Sequence, residues 1–416
     1  FGILHAGFRS PSVYLPIREG PGGEAGRHPV APPRSHFLLV GYRDGVLFGM
    51  LAVVEIRRNG IVKVFKLLAA IGLLFVASNH LTWPAEAAPD QTEDASAALA
   101  QRAKSIFGVL PADMATAERP VTQTRVALGR QLYFDPRLSK NQDVSCNSCH
   151  RLDAFGVDGE ATSPGHRGQR GDRSSPTVYN AALHTAQFWD GRAADVEEQA
   201  KGPILNPIEM AMPSEEAVVE VLQSIPGYPP LFAAAFPGEA KPLTYDNMAI
   251  AIGAFERTLT TPGPFDQFMA GETEALTPEQ QKGLETFVDV GCITCHYGPA
   301  VGGLTYQKLG LVKPYEAEDT GRFKLTGNEA DRHVWKVPSL RNIAETGPYL
   351  HNGSVPQLEE IVVIMGRHQL GKELSKEEVT SIVVFLNSLT GEIDVAVTQE
   401  PALLPSGPST PGPDPS

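Results

Sequence analysis

Cysteine is scarce in this chain. Its 416 residues contain four, and all four fall in two short stretches, Cys146/Cys149 and Cys292/Cys295. Net positive charge is also lacking: the formal charge is −13. The first 87 residues hold more Lys and Arg than Asp and Glu, so the remainder is more acidic still. A nucleic-acid partner is therefore not expected. A long apolar run is missing too. The best one, Leu67–Val76, falls short of the ~20 residues a membrane-spanning helix needs. Strand signals are few and no repeat of solenoid length stands out. The length leaves room for more than one domain.

The apolar run has a different reading. Lys63 and Lys66 precede it and Ala85-Glu86-Ala87 follows it. A basic start, a short apolar centre and an A-x-A site describe a cleavable secretory signal peptide, here placed at 62–87, with cleavage after Ala87 or Ala88. The periplasm is the expected destination. Residues 1–61 then lie upstream of the mature protein, the true start being Met50 or later. At the other end, 399–416 is rich in Pro, Ser and Gly and is expected to be disordered.

The cysteines carry the class. They read Cys146-Asn-Ser-Cys149-His150 and Cys292-Ile-Thr-Cys295-His296. Both are C-x-x-C-H, the attachment signature of c-type haem. Two thiols at this spacing each bond one vinyl group of a porphyrin, and the following His lies where it can ligate the iron. Two disulfides or a Cys₂His₂ zinc site would leave the repeated C-x-x-C-H order unexplained. Two covalent haems are expected, held by Cys146, Cys149, Cys292 and Cys295, with His150 and His296 as proximal iron ligands.

The rest of the chain repeats around these motifs. Thr277-Pro278-Glu279-Gln280 supplies an N-cap, Pro at N1 and a capping box, and Gly291 closes the helix before the second motif. Val126, Leu128, Leu132 and Tyr133 mark a helix before the first. Helices at Thr244–Leu259 and Ser375–Leu389 close the two halves, with apolar stripes at Met248, Ile252, Phe255, Leu259 and at Val379, Ile382, Val383, Leu386. The fold expected is mainly α: two cytochrome c-like haem domains with long loops. The boundary falls at Thr261-Pro262-Gly263-Pro264, giving 88–260 as the N-terminal and 261–398 as the C-terminal haem domain.

Each iron has a second axial position. Met365 follows His296 at a distance that suits a cytochrome c domain, and His/Met ligation raises the reduction potential; a core Met is the alternative. In the first half His166 stands in Pro164-Gly165-His166-Arg167-Gly168, a loop able to move, with Met210 as the rival ligand. Acid–base chemistry beside a haem needs a proton carrier. Glu209, in Asn206-Pro207-Ile208-Glu209-Met210, and Gln199 are candidates, although Glu209 also suits a turn cap.

At Phe188-Trp189-Asp190-Gly191-Arg192, Asn206–Met210, Val337–Asn342, Gly347–Gly353 and Met365–Gly371 the chain resembles the bacterial di-haem cytochrome c peroxidases, from about Thr124 to Glu392. The resemblance implies specific roles. His150 and His166 hold a low-potential haem where hydrogen peroxide reacts, and Glu209 and Gln199 line its pocket. His296 and Met365 hold a high-potential haem that receives electrons from a small donor protein, a mono-haem cytochrome c or a cupredoxin. Trp189 lies between the haems. Calcium binds between the domains through the carbonyls of Thr346 and Pro348; an asparagine ligand of the family falls near Ser174, a departure. The resemblance leaves His184, His333 and His368 as ordinary residues and gives His351 no definite role. A homodimer is expected. Two other functions share the haem motifs: a di-haem electron carrier, which would leave Glu209 idle, and a di-haem enzyme that oxidises residues of a partner protein, whose members have tyrosine where Met365 stands.

Overall fold

The structure is a computed structural model that describes residues 57–58, 61–62 and 91–416. The chain divides into Phe1–Ala85 and Glu86–Ser416. In the first unit the described part is a two-strand antiparallel ribbon, β1 (Arg57–Arg58) with β2 (Ile61–Val62). The signal-peptide and upstream readings otherwise lie outside the described residues. Among these, no helix is long and apolar enough to cross a membrane.

The second unit is built of helices and loops around two hydrophobic cores. Its principal helices are α1 (Gln91–Phe107), α2 (Gln123–Phe134), α3 (Cys146–Cys149), α4 (Val196–Leu205), α5 (Glu215–Ser224), α6 (Tyr228–Ala235) and α7 (Tyr245–Glu256). There follow α8 (Pro264–Ala270), α9 (Pro278–Val290), α10 (Phe323–Thr326), α11 (Leu358–Gln369), α12 (Lys376–Asn387) and α13 (Val395–Thr398). One short antiparallel pair, β3 (Tyr306–Lys308) with β4 (Val334–Lys336), completes it.

The helix ends follow their sequence signals. Thr277 caps α9 with a reciprocal bond to Gln280, and Gly291 ends it at φ 105°, where a Cβ would be strained. Ser375 and Glu378 box the start of α12, and Thr244 caps α7. Helices α7 and α12 bury the stripes expected of them.

Each core is organised by one helix crossing, and the two crossings match. α2 packs on α7 in the first lobe, and α9 on α12 in the second. At each crossing a glycine lets the backbones meet. A Cβ on Gly129 would fall 1.8 Å from the Ala251 carbonyl oxygen, with Phe255 beside it; one on Gly283 would fall 2.2 Å from the Ser381 oxygen, with Phe385 beside it. Burying each Phe adds on the order of 1.5–3 kcal/mol.

A second correspondence is Pro176-Thr-Val-Tyr-Asn180 and Pro338-Ser-Leu-Arg-Asn342. In both, a hydroxyl two residues before the penultimate amide accepts from it, Thr177 from Tyr179 and Ser339 from Arg341. In both, the Asn is left-handed and its N–H donates to the carbonyl just past the closing helix, Leu259 or Leu389. The two side chains also meet: Asn180 and Asn342 both donate to Thr261 Oγ1, at 2.8 and 3.0 Å. The Thr261–Pro264 link is thus a buried joint between the lobes.

Two expectations are corrected. α1 lies within 88–260, but Leu99, Ala100, Ala103 and Phe107 are buried in the second core, Phe107 edge-on to Phe265. The tail 399–416, expected to be disordered, lies along the first lobe. Leu404 packs on that core, and Arg137, Lys140 and Gln142 donate to carbonyls of Leu404, Ser416 and Pro411. A proline-rich strand has few N–H groups to pair, but its carbonyls remain good acceptors for side-chain donors. Composition reports the first property and misses the second.

Candidate active site

The two C-x-x-C-H motifs sit just beyond the two helix crossings. The first forms α3, with His150 at its C-cap; the second begins at the Gly291 stop and turns through a 3₁₀ segment, Cys292–Thr294. All four cysteines are unpaired, and burial raises every thiol. Both histidines are treated alike. Each is pushed down by desolvation, His296 to about 4. Each has an Nδ1 without a hydrogen-bond partner of good geometry, although backbone of Gly156 and Pro176 lies beside His150, and that of Val301 and Pro338 beside His296. The two P-[ST]-x-x-N segments therefore place a proline next to each ring, where an iron-bound His would donate its second nitrogen.

The second site is a cavity partly open to solvent. Cys292, Cys295, His296 and Met365 all line it, in mostly apolar surroundings that include Leu340, Ile343, Leu358 and Val362. Met365 projects from α11, and Gly366 beside it gives room to Leu374. Residues of the first lobe close the far side: Trp189, Phe188, His184 and Ser174. Trp189 donates its indole N–H to the Ser174 carbonyl at 2.8 Å, while Ser174 donates its own N–H to His351. Thr346 and Pro348 line the same junction. An apolar chamber with two thiols, an unpartnered imidazole and a thioether on its walls suits a covalently attached haem with His/Met ligation.

The first site is polar and close-packed. His166 is buried at 5% exposure. Its N–H donates to the Glu209 carbonyl at 2.7 Å, and Gly165 lies so near that a Cβ would fall 2.2 Å from the Ile208 oxygen. The His166 loop is thereby docked on the Asn206–Met210 segment. Its Nδ1 is unpartnered and its Nε2 lies 3.3 Å from the Ser416 carbonyl. Desolvation raises the Glu209 carboxyl, against the opposing pull of Arg192 and a bond from Asn206. Arg192 stands over the Phe188 ring at 3.4 Å and pairs with Asp190. Gln199 is half-buried on α4, one turn before Gly202, which faces the Phe188 ring. Met210, the rival ligand, is 3% exposed and belongs to the first core.

The family model of di-haem cytochrome c peroxidase matches residues 123–274. The chain is 46% identical over 302 residues to the cytochrome c551 peroxidase of Pseudomonas aeruginosa, spanning 71% of this chain and 87% of that protein. It is 48% identical over 295 residues to the cytochrome c551 peroxidase of Nitrosomonas europaea, spanning 70% and 87%. The chain belongs to the di-haem cytochrome c peroxidase family. It is a peroxidase enzyme, and the family implies two c-type haems, a peroxide substrate and a redox partner protein. Among solved structures, a MauG-like protein associated with microbial copper homeostasis aligns with a TM-score of 0.63 and 28% identity, covering 71% of this chain and 97% of that one. The diheme peroxidase BthA from Burkholderia thailandensis shares the fold, with a TM-score of 0.55 at 19% identity and 68% and 91% coverage.

Sequence reasoning left several residues of this peroxidase without a role. Arg192 lay in a quoted motif, but its place beside Glu209 depends on the turn at Gly191. Arg173 bridges Asp190 and Asp319 at 2.6 and 2.8 Å and stands 5.0 Å from the Trp335 ring, which stacks on His351 at 4.0 Å. His184, passed over as ordinary, lines the cavity with Lys336. The duplicated P-[ST]-x-x-N was legible, but five residues are a weak signal alone.

Proposed function

We propose that this protein is a periplasmic enzyme that reduces hydrogen peroxide to two waters, taking two protons and two electrons per turnover, with the electrons supplied by a mono-haem cytochrome c or a cupredoxin. The haems supply the redox chemistry when bound; the chain supplies ligands, orientation and protons. In each of two cytochrome c-like domains, divided near Thr261 with α1 belonging to the second, one motif holds one haem. His150 and His296 are the proximal ligands, Met365 the distal ligand of the electron-receiving haem and His166 the releasable ligand of the peroxide site.

The observation that carries the reading is Glu209. Its carboxyl is held above its usual range, and its backbone fixes the His166 loop. A carboxyl tuned upward holds its proton more readily than a free one and is better suited to both accept and return it. Glu209 therefore takes a proton from the near peroxide oxygen and delivers one to the leaving oxygen, with Gln199 orienting the substrate. Trp189 joins the sites: it lines the second cavity, and the next residue back along the chain, Phe188, faces α4. Calcium, bound by carbonyls of Thr346 and Pro348 with Ser174 close by, steadies the junction; such oxygen donors suit it. The enzyme works as a homodimer.

The test is peroxide turnover by half-reduced protein against reduced cytochrome c, with and without calcium. Turnover that strengthens with calcium supports the reading; bleaching without turnover overturns it.

A further inference from the structure

The cavity that takes the second haem is lined by a buried lysine with no carboxylate partner and a buried histidine with one unpartnered ring nitrogen. Lys336 ends β4 and is 6% exposed. Its backbone N–H is fixed on the Trp189 carbonyl at 2.9 Å, and its Nζ donates to His184 Nδ1 at 3.1 Å. That bond puts the imidazole proton on Nε2, which is buried and unpartnered. The His184 ring has its place because residue 303 is glycine: a Cβ there would lie 2.2 Å from its Cδ2.

The charge is also unanswered. Among the described residues Lys336 has no carboxylate within ion-pair distance; the nearby acids are engaged elsewhere, Asp190 by Arg173 and Arg192, Asp319 by Arg173 and Lys324. Burial alone pushes the ammonium down, to about 8, with no opposing acid. A buried cation without a counter-ion is costly, and an anion that enters the cavity relieves it. A haem attached at its vinyl edge at Cys292 and Cys295 brings propionate carboxylates on its other edge.

We propose that Lys336 and His184 form the propionate clamp of the C-terminal haem, Lys336 giving the charge and His184 Nε2–H the second hydrogen bond, and that the clamp raises this haem's reduction potential. A fixed positive charge favours the reduced haem, which carries one charge less. This rests on the reading that haem fills the cavity, so two measurements are made on the holoprotein. Pyridine-haemochrome analysis counts haems and tests that reading: two per chain are expected, and one overturns it. Optical redox titration then tests the clamp. Lys336→Gln should lower the C-terminal midpoint by about 59 mV, a tenfold change in the one-electron equilibrium, and leave the N-terminal midpoint in place. Lys336→Arg keeps the charge and should stay near wild type. His184→Leu should shift it in the same direction by less. If Lys336→Gln fails to attach haem, the Arg and Leu variants decide. An Arg midpoint lowered by the full tenfold step, or Gln and Leu midpoints equal to wild type with both haems attached, overturns the clamp.

Discussion

The two lobes hold their motif histidines in the same way and differ in what lies opposite. Gly129 on Ala251 repeats as Gly283 on Ser381; Pro176–Asn180 repeats as Pro338–Asn342. Beyond that frame the second lobe is an apolar chamber with Met365 on a helix, while the first is crowded with His166, Glu209 and Arg192 on loops. On the proposed reading, a thioether on a helix is a fixed ligand, and a histidine in a loop fastened to the segment that carries the proton donor couples ligation to acid–base chemistry. The duplicated frame serves both lobes; the distal sides divide the work.

That division can be broken at its polar end first. Glu209→Gln keeps the shape and removes the titrating proton, so peroxide turnover should fall by roughly 10²–10⁴-fold while haem spectra stay as they were. Near-normal turnover would remove Glu209 from the chemistry. At the apolar end, Met365→His should lower the midpoint of the C-terminal haem by more than the ~59 mV of a tenfold change, because imidazole favours ferric iron over thioether. A titration in which neither midpoint moves would show that Met365 is no ligand.

The shared frame is tested by its glycines. Gly129→Ala and Gly283→Ala each force a methyl into backbone, and each should cost about 1–3 kcal/mol by denaturant unfolding. Equal stability with wild type in either variant would mean the crossing relaxes freely. The mildest effect separates the lobes by pH. Where the second closing helix has Leu386, the first has Glu256, buried at 4% exposure. Desolvation, reinforced by Glu197, raises its carboxyl from 4.5 to about 8. The folded chain therefore holds a proton that the unfolded chain releases, and stability falls as pH rises from about 4.5 to about 8. Above neutrality about one unit of that shift remains, on the order of 1 kcal/mol. Glu256→Gln should flatten the decline in thermal midpoint between pH 7 and 9; an unchanged slope would place the titration elsewhere.

Much of the frame was legible because it is local. A helix start is set by Thr277 with Gln280, or Ser375 with Glu378, within one turn. The C-x-x-C-H spacing is local as well. What stayed hidden depends on distant partners. The apolar face of α1 says that it is buried but not in which core. Lys336 and His184 look like surface residues until β4 carries one to the other. The tail's composition matches that of solvated chain; only Arg137, Lys140 and Gln142, far away in sequence, give its carbonyls a place to bind.

The crossed ends have a consequence for assembly. α1 is synthesised before every helix of the core it joins, Phe265 and Leu284 included, and so stays unpartnered until they appear. The first lobe, in turn, has Gly227 and Arg137 covered by Leu404, made after every helix of that lobe. Neither lobe is complete until residues from the other side of the Thr261–Pro264 link have joined it. A cut at Thr261–Pro264 would leave two fragments that each carry a piece of the other's core, so they should stay associated after cleavage and refold poorly when separated.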